Sequence, residues 1–293
     1  MDSAIRALNA GLMIALGLAL GTWLARRRKM SWGLFGIGAA TFVVSQIGHI
    51  PFNALALSRV LDGLGWIDMA STASLIGASA LLGLSAGIFE EGARYLMYRF
   101  WAKKARTWEE ALMIGAGHGG IEAILLGLLA GYALLQVLAL RGVDLATVLP
   151  ADQVEIARLQ VEAYWATPWY ASLLGAVERA FTICLHLSLS VLVLQCFTRR
   201  AWYWLPLAIG WHALVDGVAL VAVQNIGPYW TEALIGVMAV ISLGILFALR
   251  PKPRPDAESL SARPTEHTPL PSRQDERPTE HQLDDSRFTG RVE

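Results

Sequence analysis

Seven stretches of this chain are long and apolar enough to cross a lipid bilayer, and their number constrains the fold more than any motif does. They run at roughly 4–25, 31–57, 70–100, 108–140, 169–198, 201–223 and 230–249. A hydrocarbon layer about 30 Å thick takes about 20 apolar residues in helical form, and it holds no water to satisfy an irregular backbone. An all-α, polytopic transmembrane helical bundle over residues 1–250 is therefore expected. Hydrophobic residues are 55% of the chain and charged ones only 16%. Much of that charge lies in residues 251–293, so the bundle is more apolar than the average.

The basic residues give an orientation. Arg26, Arg27, Arg28 and Lys29 follow the first run, and Arg99, Lys103, Lys104 and Arg106 separate the third from the fourth. Arg199 and Arg200 lie between the fifth and sixth, and Arg250, Lys252 and Arg254 follow the seventh. Every cluster falls on one side if the N-terminus is outside and the C-terminal tail is cytoplasmic. The first run precedes its basic cluster, which suits a span and not a cleaved leader. A cell (plasma) membrane location is expected, with the lipid bilayer as a partner. Net charge is zero and gives no reason to expect nucleic acid.

Residues 251–293 are rich in proline and charge and read as a disordered cytoplasmic tail, with "RPTEH" at 263–267 and again at 277–281. The long outer connection from Arg141 to Tyr170 is amphipathic. Asp152 and Glu155 there have capping-box spacing, and Val154, Ile156, Leu159, Val161 and Trp165 could lie on a membrane surface. The eleven tryptophans fall mostly near segment ends, as an aromatic belt would. Cys184 and Cys196 share one segment at helical spacing, which a straight helix cannot bridge.

Ionisable residues inside such runs cost about 2.5–3.5 kcal/mol each at a helix centre, so a cluster of them is a functional signal. Glu90, Glu91 and Arg94 lie on the third run, His118 and Glu122 on the fourth, Glu178, Arg179 and His186 on the fifth, and His212 and Asp216 on the sixth. Counted from the basic ends at about 1.5 Å per residue, Glu90 and Glu91 lie roughly 12–14 Å deep, His118 about 15 Å, and His186 and His212 roughly 18–20 Å. One glutamate pair and three histidines thus reach nearly one layer. His49 comes out at about 28 Å and misses it; with Gln46 and Asn53 it reads as a structural hydrogen-bond cluster. Glu178 and Arg179 read as an ion pair near the outer end.

Spacing pairs His118 with Glu122, His212 with Asp216 and Glu90 with Arg94, each four apart on one helix face. A carboxylate so placed can accept one ring N–H of a histidine and leave the other nitrogen for a metal or a water. Zinc hydrolysis needs two or three N/O ligands, an open position for water and a carboxylate base. The layer has that inventory, although H-E-x-x-H is absent. Two other uses of the same groups are open on the residues alone. One is a non-proteolytic membrane protein that binds or relays ions or protons, and the other is haem held by paired histidines.

The motifs "EEGAR" (90–94), "GHGGIE" (117–122), Glu178-Arg179 followed by His186, "HALVD" (212–216) and "SQIGHIPFN" in the second run resemble the YhfC family of intramembrane metalloproteases. That family is similar to the clan of CAAX prenyl endopeptidases, bacteriocin-processing proteins and PrsW proteases. The resemblance implies an endopeptidase acting on a membrane-associated protein or peptide substrate, with Glu90 or Glu91 activating the attacking water; of the two, Glu90 is expected as general base, with Glu91 and Arg94 ordering it. His118, His186 and His212 would bind a divalent metal, zinc first, or the attacking water, with Glu122 and Asp216 in support. The glutamate motif here is EExxR, where CAAX endopeptidases carry EExxxR and PrsW proteins EExxK.

Overall fold

The computed structural model describes residues 2–251, and the expected tail and its repeat lie outside the described residues. Six helices among the described residues have the length and composition to cross a membrane. They are built from α1 (Asp2–Arg27), α2 (Trp32–Phe52), which runs on through a π turn into α3 (Ser58–Gly63), α4 (Thr72–Leu96), α5 (Trp108–Ala139), α8 (Leu174–Thr198) and α9 (Trp204–Ala248). Two shorter helices, α6 (Leu145–Val148) and α7 (Ala151–Ala166), occupy the long connection. Local chemistry sets the starts. The Ser31 hydroxyl accepts from the Gly33 N–H, and Ser71/Ser74 and Thr107/Glu110 form reciprocal capping boxes ahead of α4 and α5.

Six helices carry seven runs because α9 is a hairpin. Its 45 residues would reach about 68 Å if straight, twice the hydrocarbon thickness. The path breaks at Gly227, whose φ of 76° and ψ of 172° suit only glycine, and Pro228 removes the next N–H. The second arm returns along the first, and the Trp211 indole N–H donates to Ser242 Oγ at 3.0 Å. The gap expected between 223 and 230 is this turn.

In the long connection one expectation fails. Helix α7 starts at Ala151, behind Pro150, which has no side-chain cap to offer. Asp152 is inside the first turn instead of capping it, and Glu155 pairs with the Arg158 guanidinium. Pro150 is itself the N-cap, with an extended ψ of 144°, so the boundary lies ahead of the capping-box register. Ile156 and Leu159 are exposed, and Arg6 Nη2 donates to Thr167 O at 2.7 Å, tying α1 to the end of α7.

Helix α5 is central, packed by α1, α2 and α8. Glycines make these contacts possible. A Cβ on Gly38 of α2 would fall on the Ile114 carbonyl oxygen, one on Gly117 would fall on that of Phe35, and one on Gly17 of α1 would fall on that of Gly120. Close backbone approach of this kind is how helices associate where lipid supplies no hydrophobic drive. Gly38→Ala is expected to lower stability by about 1–3 kcal/mol, because a backbone carbonyl cannot swing aside. Gly36→Ala, with open space at its Cβ, should not lose stability. Thermal unfolding in detergent checks both.

Candidate active site

Two further glycines bring α9 against α4 about two turns and one turn before the acidic pair. Cβ atoms on Gly83 and Gly87 would meet the carbonyl oxygens of Ala213 and Ile209 at 2.5 and 2.7 Å. On the other side of α5, Gly119 leaves room for the His186 ring, 3.0 Å from where a Cβ would stand. With the helices this close, the ionisable groups of α4, α5, α8 and α9 meet in one cluster. The His118 and His186 ring centroids are 4.9 Å apart, and those of His186 and His212 are 5.7 Å apart.

The two glutamates have different surroundings. Glu91 is fully buried, ion-paired with Arg94, and its Oε1 is 2.9 Å from His212 Nδ1. Arg94 is equally buried, and its Nη2 is 3.4 Å from His186 Nδ1. Glu90 Oε2 is 3.1 Å from His118 Nε2 and 3.9 Å from His212 Nε2, while its Oε1 accepts from Gln46 Nε2 at 2.9 Å. Glu90 also lines two cavities. One is a small polar chamber of about 110 Å³ shared with His186, His212, Asp216 and Arg179. The other is a groove of about 680 Å³ between α2 and α5. A chamber of that size holds a few waters, and its polar lining gives them partners.

Glu122 turns away from the histidine on its own helix. Its Oε2 is 2.7 Å from His186 Nε2 on α8, and its other oxygen pairs with Arg179. Arg179 also pairs with Glu178, so the pair expected near the outer end reaches the cluster. His212 and Asp216 keep their expected i,i+4 relation at 3.5 Å. Two arginines thus serve Glu91, Glu122 and Glu178, and among the described residues Glu90 and Asp216 have no guanidinium partner.

Gln46 and Ser85 are the polar residues that sequence reasoning passed over or left outside the cluster. Gln46 Oε1 is 3.3 Å from His49 Nδ1, His49 Nε2 is 3.0 Å from Asn53 Nδ2, and Ser85 Oγ donates to Asn53 Oδ1 at 2.9 Å. An ionised Glu90 can only accept, so Gln46 must present its NH₂ there and its carbonyl to His49. His49 then carries its proton on Nδ1 and accepts from Asn53. The whole chain of donors points at Glu90. Counting along the helix places His49 outside the layer. The structure instead joins it to Glu90 through Gln46.

Donor atoms of Glu90, His118 and His186 lie within 4.8 Å of one another, all buried. His118 Nδ1 is buried without a hydrogen-bond partner. Two imidazoles and a carboxylate form an N/O set that suits a divalent cation. The Glu122 carboxylate behind His186 is the kind of outer-shell group that orients a ligating ring. His212 is outside this group of three, held between Glu91 and Asp216.

The family model described as YhfC intramembrane metalloprotease matches residues 12–243. A Bacillus subtilis (strain 168) protein, described as an uncharacterized membrane protein YhfC, is 31% identical over 251 residues, covering 84% of this chain and 95% of the relative. No solved structure matches. The chain belongs to the YhfC intramembrane metalloprotease family and is a multi-pass integral membrane protein.

Proposed function

We propose that this YhfC-family chain is an intramembrane endopeptidase that hydrolyses a peptide bond of a membrane-associated protein with a water activated at Glu90. The observation that carries the reading is the division of labour between the two glutamates. Glu91 is consumed by Arg94 and His212, whereas Glu90 borders both the polar chamber and the groove. A carboxylate in reach of a water and of a bound carbonyl is what a general base requires.

In this reading a chamber water attacks the carbonyl carbon of the substrate and its proton passes to Glu90 Oε2. The C–N bond then breaks, and the same proton goes to the departing amine. Gln46 holds Oε1, so the working oxygen keeps its direction. His212, with Nε2 at 3.9 Å from Glu90 Oε2, lies beside the water and the developing oxyanion. His118 and His186 would hold a divalent metal, zinc first on these nitrogen donors, which when bound supplies Lewis acidity, and Glu90 beside them keeps Oε2 for the proton. Glu122 and Arg179 orient His186 for either task.

The test has two readouts. Detergent-purified protein should carry about one metal per chain, and the His118→Ala/His186→Ala double variant should lose it, by elemental analysis. Liposomes with a single-span reporter peptide should show cleavage by wild type that Glu90→Ala lacks. Cleavage by Glu90→Ala at the wild-type rate would overturn the assignment.

A further inference from the structure

Helices α2 and α5 pinch together at one end and part at the other. At Gly38 and Gly117 their backbones touch. Beyond that crossing they are drawn to different neighbours. Gly48 of α2 lets Phe89 of α4 approach, and His49 stacks on the Phe89 ring with centroids 5.5 Å apart. Gly127 of α5 is pressed instead on Ala10 and Met13 of α1. The space left between them is the 680 Å³ groove. Its lips are Val43, Ile47 and Ile50 on one side and Leu125, Leu126 and Leu129 on the other, all exposed at the height of the spans. Its floor is Glu90, Glu122 and Asp216, and no lysine or arginine lines it.

The geometry points to this groove as the seat of the substrate: an unwound, non-acidic stretch of a transmembrane polypeptide entering sideways from the lipid. The inference rests on the hydrolytic reading above and adds the entry path and a selectivity. Continuity with Glu90 identifies the occupant, since a chain lying here brings a carbonyl to that carboxylate. From Val43 to Pro51 the α2 lip runs about 12 Å, which an extended chain covers in three or four residues. A helix, roughly 10–12 Å across with its carbonyls bonded internally, would keep its peptide groups from the floor. Apolar lips suit aliphatic side chains. Of the floor carboxylates Glu122 is paired with Arg179, while Glu90 and Asp216 have no guanidinium partner among the described residues and repel an aspartate or glutamate of the substrate, a built-in rejection of the wrong sequence.

The probe is a synthetic single-span peptide with a Gly-Gly pair in its apolar segment, co-reconstituted with the full chain in phosphatidylcholine vesicles. Cleavage is followed by mass spectrometry. Ile47→Trp and Leu126→Trp should each lower kcat/KM by about tenfold or more, about 1.4 kcal/mol, with the melting temperature held. Ile76→Trp, in the separate lipid-facing groove between α4 and α9, should change little. Aspartate next to the cleaved bond should cost a similar factor, and lysine there should not. Lip variants that cleave normally while Ile76→Trp fails, or aspartate cleaved as well as alanine, would overturn the proposal. Wild type that cleaves nothing would instead count against the hydrolytic reading. The groove is then judged by binding alone. A benzophenone side chain at position 47 or 126 of Glu90→Gln protein should cross-link the peptide, and one at position 76 should not. The reverse pattern rejects the groove.

Discussion

Glu90→Gln is expected to lower kcat for peptide cleavage by about 10²–10⁴-fold, the usual contribution of a general base, while KM changes little. The replacement is nearly isosteric. Its carbonyl oxygen can still accept from Gln46, so the donor chain from Asn53 through His49 has somewhere to end. What disappears is the ability to take a proton from water. Gln46→Leu provides a graded comparison. It leaves the base in place but strips Oε1 of its donor, and a lost bond to a buried charged group costs about 1–3 kcal/mol. Steady-state kinetics on the reporter peptide, with folding checked by thermal melts, measures both. Equal kcat in wild type and Glu90→Gln would remove Glu90 from the chemistry.

The largest effect on stability is expected at Arg94. Its side chain is wholly inside the bundle, paired with an equally buried Glu91 and facing His186. Arg94→Met should cost about 3–5 kcal/mol, since it strands a carboxylate in a place without water. Lysine should not restore the loss, because one ammonium cannot match the planar fork that serves Glu91 and His186 together. The double replacement Glu91→Leu/Arg94→Met should be milder than Arg94→Met alone, because it removes both desolvated charges. Unfolding by denaturing detergent gives the three values. A double variant worse than Arg94→Met alone would mean that the pair is not the unit that matters.

The spans were legible because lipid imposes its demand on every residue of a crossing, and even the α9 hairpin left a trace in the polar, glycine- and proline-containing stretch between 223 and 230. The gathering of Glu90, Glu91 and three imidazoles was legible from depth, since burying charge in lipid is too costly to be scattered. Partner choice was not. The spacing of His118 and Glu122 says that they share a helix face, but Gly115 and Gly119 admit α8 so closely that His186 takes Glu122 instead. Gln46 reads as a partner of His49 and Asn53, and Ser85 as one small residue among many, so only coordinates could link that cluster to Glu90. Arg179 was read by its position along the helix, while its long side chain reaches Glu122.

The meeting of Gly17 with Gly120 lies two residues from His118. The N-terminal helix supplies no group to the chemistry, yet it is a jig that sets where an imidazole stands. A foreign anchor of equal hydropathy would insert as readily and still leave the fourth crossing free to slide. Chimeras and reporter fusions should therefore preserve that helix residue for residue on its glycine face, and spend their freedom on the side turned to lipid.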